Sequence, residues 1–91
     1  MKTVDELPEA TIDSFYKQIG LNVKNQRMKK GMTQLQLAHS LNHKSVGLVS
    51  QAELYLKKQH FNLEHLLKIA FVLECTIEDL VEIKKISEPQ L

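Results

Sequence analysis

The chain reads as an all-α fold, one compact domain of five helices. Three observations point there. Apolar residues recur at three- and four-residue spacing along most of the chain. Capping residues stand at the start of these runs, and no stretch alternates apolar and polar residues for long enough to make a strand. Ninety-one residues hold one domain and leave no room for two. The mix of 43% hydrophobic and 25% charged residues is that of a chain able to fold. The expected boundaries are a flexible arm over residues 1–12, the domain over 13–86 and a tail over 87–91.

Met1 to Ala10 holds Asp5, Glu6, Pro8 and Glu9 among few apolar residues, which gives the arm. Thr11 or Asp13 then caps a first helix running to about Lys30, with Phe15, Ile19 and Val23 as its inward stripe. Gly20 inside that helix costs up to about 1 kcal/mol relative to Ala, so close packing is expected there. Gly31, after Lys29 and Lys30, stops the helix where cations suit its dipole.

Thr33 and Gln36 have the spacing of a capping box, and Leu37, Ala38 and Leu41 form a narrow apolar stripe behind them. Asn42, His43 and Lys44 interrupt the pattern. Ser45 offers a second N-cap, followed by Val49, Ala52 and Leu56 on one face. Two helices this short cannot stand alone in water. Joined by a tight polar turn inside a small helical domain, they follow the helix-turn-helix plan.

Beyond them, Lys57 to Phe61 make a basic connector, and Asn62 caps a fourth helix from Leu63 to about Leu73. Thr76 with Asp79 opens a fifth, running to about Lys85, and Ser87-Glu88-Pro89 ends regular structure. The fourth helix is apolar almost all round, which implies burial on more than one side. A homodimer through Phe71, with Val72, Val81 and Ile83, is the expected use of that surplus.

Charge is segregated. Between Lys17 and His60 there are eight basic residues against Glu53 alone, a net +7, whereas residues 1–16 and 61–91 each carry −3. The overall charge of +1 conceals this. No signal-peptide pattern or membrane-length apolar run is present, and the single Cys75 cannot form an internal disulfide, so a cytoplasmic protein without membrane contact is expected. His39 and His43 are four apart, but the helix is expected to end between them, and no Cys-x-x-Cys or His-Glu-x-x-His pattern is present. No nucleophile-and-base pair or phosphate-cradling glycine loop is seen. No enzyme, metal or cofactor is expected.

The ordered set Ile19-Gly20, Arg27, Gly31, Thr33-Gln34, Leu37-Ala38, Leu41, Val49-Ser50, Glu53, Leu63-Glu64, Leu66 to Ala70 and Glu78-Asp79-Leu80 resembles the lambda-repressor-like helix-turn-helix family (phage repressor and Cro, or XRE). The likeness covers Ile19 to Leu80. The turn between the two short helices matches a longer family variant in which a Lys-Ser pair, here Lys44-Ser45, opens the second helix.

The resemblance implies a transcriptional regulator that binds double-stranded DNA in the major groove. It assigns Gln34, Lys44, Ser45, Lys57 and Lys58 to phosphates, and Val46, Gly47, Ser50 and Gln51 to the outward face of the recognition helix. It also implies an ion pair between Arg27 and Glu53. The sequence departs from the family at Val46-Gly47-Leu48, where relatives often carry polar residues, and at Phe71, where a polar residue is usual. That apolar start of the recognition helix supports a rival reading. In it, the fold is an interaction module docking a protein partner, as in an antitoxin or a phage anti-repressor partner.

Overall fold

The structure, a computed structural model, describes residues 1–83. Among them are five α-helices and no strand: α1 Glu9–Lys29, α2 Gln34–Ser40, α3 Gly47–Leu54, α4 Leu63–Leu73 and α5 Ile77–Val81. Two 3₁₀ turns, Val4–Glu6 and Leu56–Lys58, complete the order. Helix α1 is the spine, with α3, α4 and α5 packed on it; α2 packs on α3 and α4.

Local chemistry sets the helix starts. Thr33 Oγ1 accepts from the Gln36 amide at 3.0 Å, and Gln36 Oε1 accepts from the Thr33 amide at 2.8 Å. Asn62 with His65, and Thr76 with Asp79, repeat this reciprocal box. Each box satisfies helix-end N–H groups that would otherwise lack partners. Gly31, at φ +71, ends α1 in the left-handed region that glycine adopts without a side-chain penalty.

The core gathers Ile19 and Val23 of α1, Leu37, Ala38 and Leu41 of the second helix and its end, and Val49 and Ala52 of α3. Phe61, Leu66, Ile69, Leu73 and Leu80 close it. Gly20 is where α1 and α3 meet backbone to backbone. A Cβ built there would lie 2.7 Å from the Glu53 carbonyl oxygen and closer still to that of Ala52.

Several expectations need correction. Helix α1 begins at Glu9 rather than at Thr11 or Asp13, with Pro8 at its N-cap. Proline suits that place because it has no N–H to leave unpaired. Phe15 is 40% exposed, and Tyr16 packs against the core instead, because residues four apart drift around a helix of 3.6 residues per turn. Ser45 does not cap α3. Val46 occupies the N-cap with helical dihedrals and no side-chain hydrogen bond, so the helix starts one residue later, at Gly47.

Leu56 is 50% exposed, since α3 ends at Leu54 and Tyr55 turns left-handed, which breaks the register. Helix α5 stops at Val81, with Glu82 extended. The buried Asn22 amide donates to the Leu80 carbonyl at 3.0 Å and the Glu82 carbonyl at 2.8 Å, holding the end of α5 against α1. The continuation to Lys85, the stop at Ser87-Glu88-Pro89 and the tail over 87–91 lie outside the described residues.

Candidate nucleic-acid interface

The site is built on a buried ion pair. Arg27 Nε donates to Glu53 Oε2 at 2.7 Å and Nη2 to Oε1 at 3.0 Å, a two-point clamp between α1 and α3. The remaining guanidinium nitrogen, Nη1, donates to the Met32 carbonyl at 2.8 Å, which ties in the turn before α2. Gln34 Nε2 adds a bond to Glu53 Oε1 at 3.0 Å. The Glu53 side chain is 0% exposed and that of Arg27 is 9% exposed. Charges so far from water are tolerable only when paired and hydrogen-bonded, and here each guanidinium nitrogen and both carboxylate oxygens have a partner.

The clamp has an electrostatic result. Glu53 is the one acid between Lys17 and His60, and it is buried and neutralised. What that segment shows to solvent is therefore lysine. Lys44 and Lys57 are exposed on either side of α3, and Lys29 and Lys30 are exposed at the end of α1. Lys58 is also exposed, but its ammonium lies 3.4 Å from Glu9 and 3.8 Å from Asp13 at the start of α1. A phosphate at Lys58 would compete with those two carboxylates.

Helix α3 presents its first turns beside this basic rim. Val46 and Gly47 are half-buried, Gln51 is half-exposed, and the Ser50 hydroxyl donates to the Gly47 carbonyl at 3.2 Å. That bond occupies the hydroxyl hydrogen and leaves its lone pairs outward. Gln34 stands at the first residue of α2, with its amide turned to Glu53. One N–H and the carbonyl oxygen of that amide remain for another partner.

The sequence reading passed over a second component of this face. Met28 is 59% and Leu35 47% exposed, and with Met32 and Val46 they line an open cleft of about 640 Å³ edged by Arg27, Thr33 and Gln34. The signal was present, because both residues fall on the outward sides of their helices. No periodicity links residues of α1, α2 and α3, so only the fold shows that they adjoin.

The connector after α3 is held in an uncommon backbone. Tyr55, Lys57 and Lys58 all have left-handed dihedrals, at φ 55, 54 and 62. Such residues cost about 1–2 kcal/mol each without support. The support is aromatic. The Tyr16 ring stacks on His60 at 4.0 Å and on Tyr55 at 5.7 Å, while the Tyr55 hydroxyl donates to Asp13 at 2.8 Å. The hydrogen bond to the Asp13 carboxylate pushes the Tyr55 phenol up to about 12.

Among the described residues, no group of three or more His, Cys, Asp or Glu side chains is placed to hold a metal. His43 and His65 meet edge to face at 5.8 Å. Burial, then the charge of His43, holds the His65 imidazole below its ordinary value. Cys75 packs against the core, and burial pushes its thiol up. Among the described residues, no helix is long and apolar enough to cross a membrane.

Two short helices, the second clamped to α1 through Arg27 and bonded to the first through Gln34, with exposed lysines on either side of it, define a helix-turn-helix DNA-binding domain. The family model of the Cro/C1-type HTH DNA-binding domain matches residues 22–85, and the chain belongs to that family. No curated protein and no solved structure matches the chain. The matched span contains α2 to α5, the Arg27–Glu53 clamp and the basic rim, and leaves out Glu9 and Asp13, the carboxylates that hold Lys58.

Proposed function

We propose that the protein is a sequence-specific transcriptional regulator that binds the major groove of double-stranded DNA as a homodimer. The observation that carries this reading is the burial of Glu53, which leaves the surface around α3 with lysines and no acid from the same segment. Lys44, Lys57 and the free N–H of Gln34 contact phosphates, with Ser45 beside them; Lys58 joins them by exchanging its carboxylates for a phosphate. Gln51 reads adenine through its amide, Ser50 accepts from a base edge, and Val46, beside the close-lying Gly47 backbone, meets a thymine methyl group. Phe71, with Val72, Val81 and Ile83, belongs to the dimer surface. A selection of bound sequences from a random DNA pool tests the whole reading. A two-fold symmetric consensus supports it, and recovery of unrelated sequences counts against it.

The apolar cleft of Met28, Met32, Leu35 and Val46 favours a second reading, an interaction module whose partner is a protein. Retention of random DNA at low salt separates the two. A DNA binder is retarded through its lysines whatever the sequence, and a pure protein-docking module is not.

Two results are expected from competition titrations at two salt concentrations. Lys57→Ala weakens binding to every sequence alike and lowers the salt slope by about one unit, since one phosphate contact is lost. Gln51→Ala leaves that slope unchanged but reduces discrimination at one position per half-site by about 1–3 kcal/mol. An unchanged ratio between matched and substituted sites for Gln51→Ala excludes direct readout by this residue.

A further inference from the structure

Helix α4 carries an unpartnered apolar face. Leu63, Leu67 and Phe71 follow one another at four-residue spacing and are 81%, 62% and 84% exposed. Their stripe borders a groove of about 510 Å³ between α4 and the end of α2, lined by Ser40, Leu41, Asn42, Leu67, Phe71 and Val72. The chain's own N-terminal turn does not cover this face, because Val4 and Leu7 are themselves exposed to solvent.

We infer that a second copy of this chain covers the stripe, α4 against α4 in antiparallel orientation, with the two-fold axis beside Leu67. The inference rests on the homodimer reading above and says which surface makes the dimer. Charge complementarity favours a second copy. Glu64 and Lys68 lie along one flank of the stripe, joined at 2.7 Å and largely exposed. In an antiparallel pair related by a two-fold axis through Leu67, that flank faces the same flank of the second copy. Glu64 then stands only two residues, about 3 Å along the axis, from Lys68 of the second copy. A parallel pair turns the flank away and loses this match.

The apolar contacts are self-complementary as well. Leu63 of one copy falls at the level of Phe71 of the other, and the two Leu67 side chains meet at the axis. A two-fold axis requires a surface that complements itself in this way. The mostly exposed phenylalanine and two leucines form an apolar centre, and the rim of Ser40, Asn42 and Lys68 extends it toward the roughly 800 Å² per partner that a specific interface buries. Val81 is half-buried and shares a cleft with Leu63 at one end of this stripe, and Ile83 is half-buried after it.

The test is cross-linking of the full chain in a Cys75→Ser background. Leu67→Cys is expected to form a covalent dimer under mild oxidation, since the two positions meet at the axis. A mixture of Leu63→Cys and Phe71→Cys is expected to form the heterodimer, and Leu54→Cys, exposed on α3, is expected not to link. In sedimentation, Leu67→Lys is expected to raise the dimer dissociation constant about tenfold or more while leaving the circular dichroism unchanged. A parent that sediments as a dimer but fails to cross-link at position 67 overturns this interface and leaves the homodimer reading standing. A parent that stays monomeric and uncross-linked at every concentration overturns both.

Discussion

Gly20→Ala is expected to destabilise the fold by about 3 kcal/mol, the upper end of the usual cost of overpacking. The added methyl meets the carbonyl oxygens of Ala52 and Glu53, backbone atoms that cannot rotate aside, so α1 and α3 must separate. For a domain of this size, each kcal/mol lowers the Tm by roughly 4–8 °C. Thermal denaturation followed by circular dichroism gives the answer. Gly47→Ala is the control, because a Cβ there meets only the Ser45 hydroxyl at an ordinary 3.6 Å. It is expected to melt at or above the parent temperature, since alanine favours a helix by up to about 1 kcal/mol. If both variants melt together, the close approach of the two helices is wrong.

Glu53→Gln is expected to cost about 3–5 kcal/mol, because it strands the Arg27 guanidinium in a site that is almost closed to water. The shape of the side chain is nearly kept, so the loss reports charge rather than packing. The double variant Arg27→Met with Glu53→Leu is expected to recover most of that stability, since a buried pair contributes little beyond an apolar replacement of similar volume. Denaturant titration of the three variants forms the comparison. A Glu53→Gln protein as stable as its parent contradicts the burial of the pair. The clamp also sets the angle between α1 and α3, so the double variant separates its two duties. It is expected to fold yet bind DNA less well if that angle matters for the fit of α3 in the groove.

What the sequence disclosed follows from how local each signal is. The boxes at Thr33 and Thr76 lie within four consecutive residues, and both start their helices where the spacing indicated. Leu37, Ala38 and Leu41 are buried because a short helix with one apolar stripe has one way to face. Asn22 was illegible for the opposite reason. Its partners lie 58 and 60 residues away, and nothing near it distinguishes a buried clamp from a solvated amide. The lysines of the connector looked alike in sequence, yet Lys58 sits among carboxylates of α1 while Lys57 does not. Helix α4 showed an excess of apolar residues, but only the fold reveals that Leu63, Leu67 and Phe71 are the part left over.

The segregation of charge has a kinetic consequence. With a net charge of only +1, the molecule as a whole is barely drawn toward a polyanion. Its basic middle lies between two acidic ends, and the acid within that middle is hidden, so the field around the molecule is strongly uneven. Near a duplex, this unevenness acts as a torque. On the proposed binding mode, the acidic segment over residues 1–16 is expected to be pushed away while the start of α3 is pulled in, so that the protein turns before it touches. Fewer encounters are wasted on the wrong face. The resulting gain is in association rate and fades as salt shortens the reach of the field, to about 8 Å at physiological ionic strength.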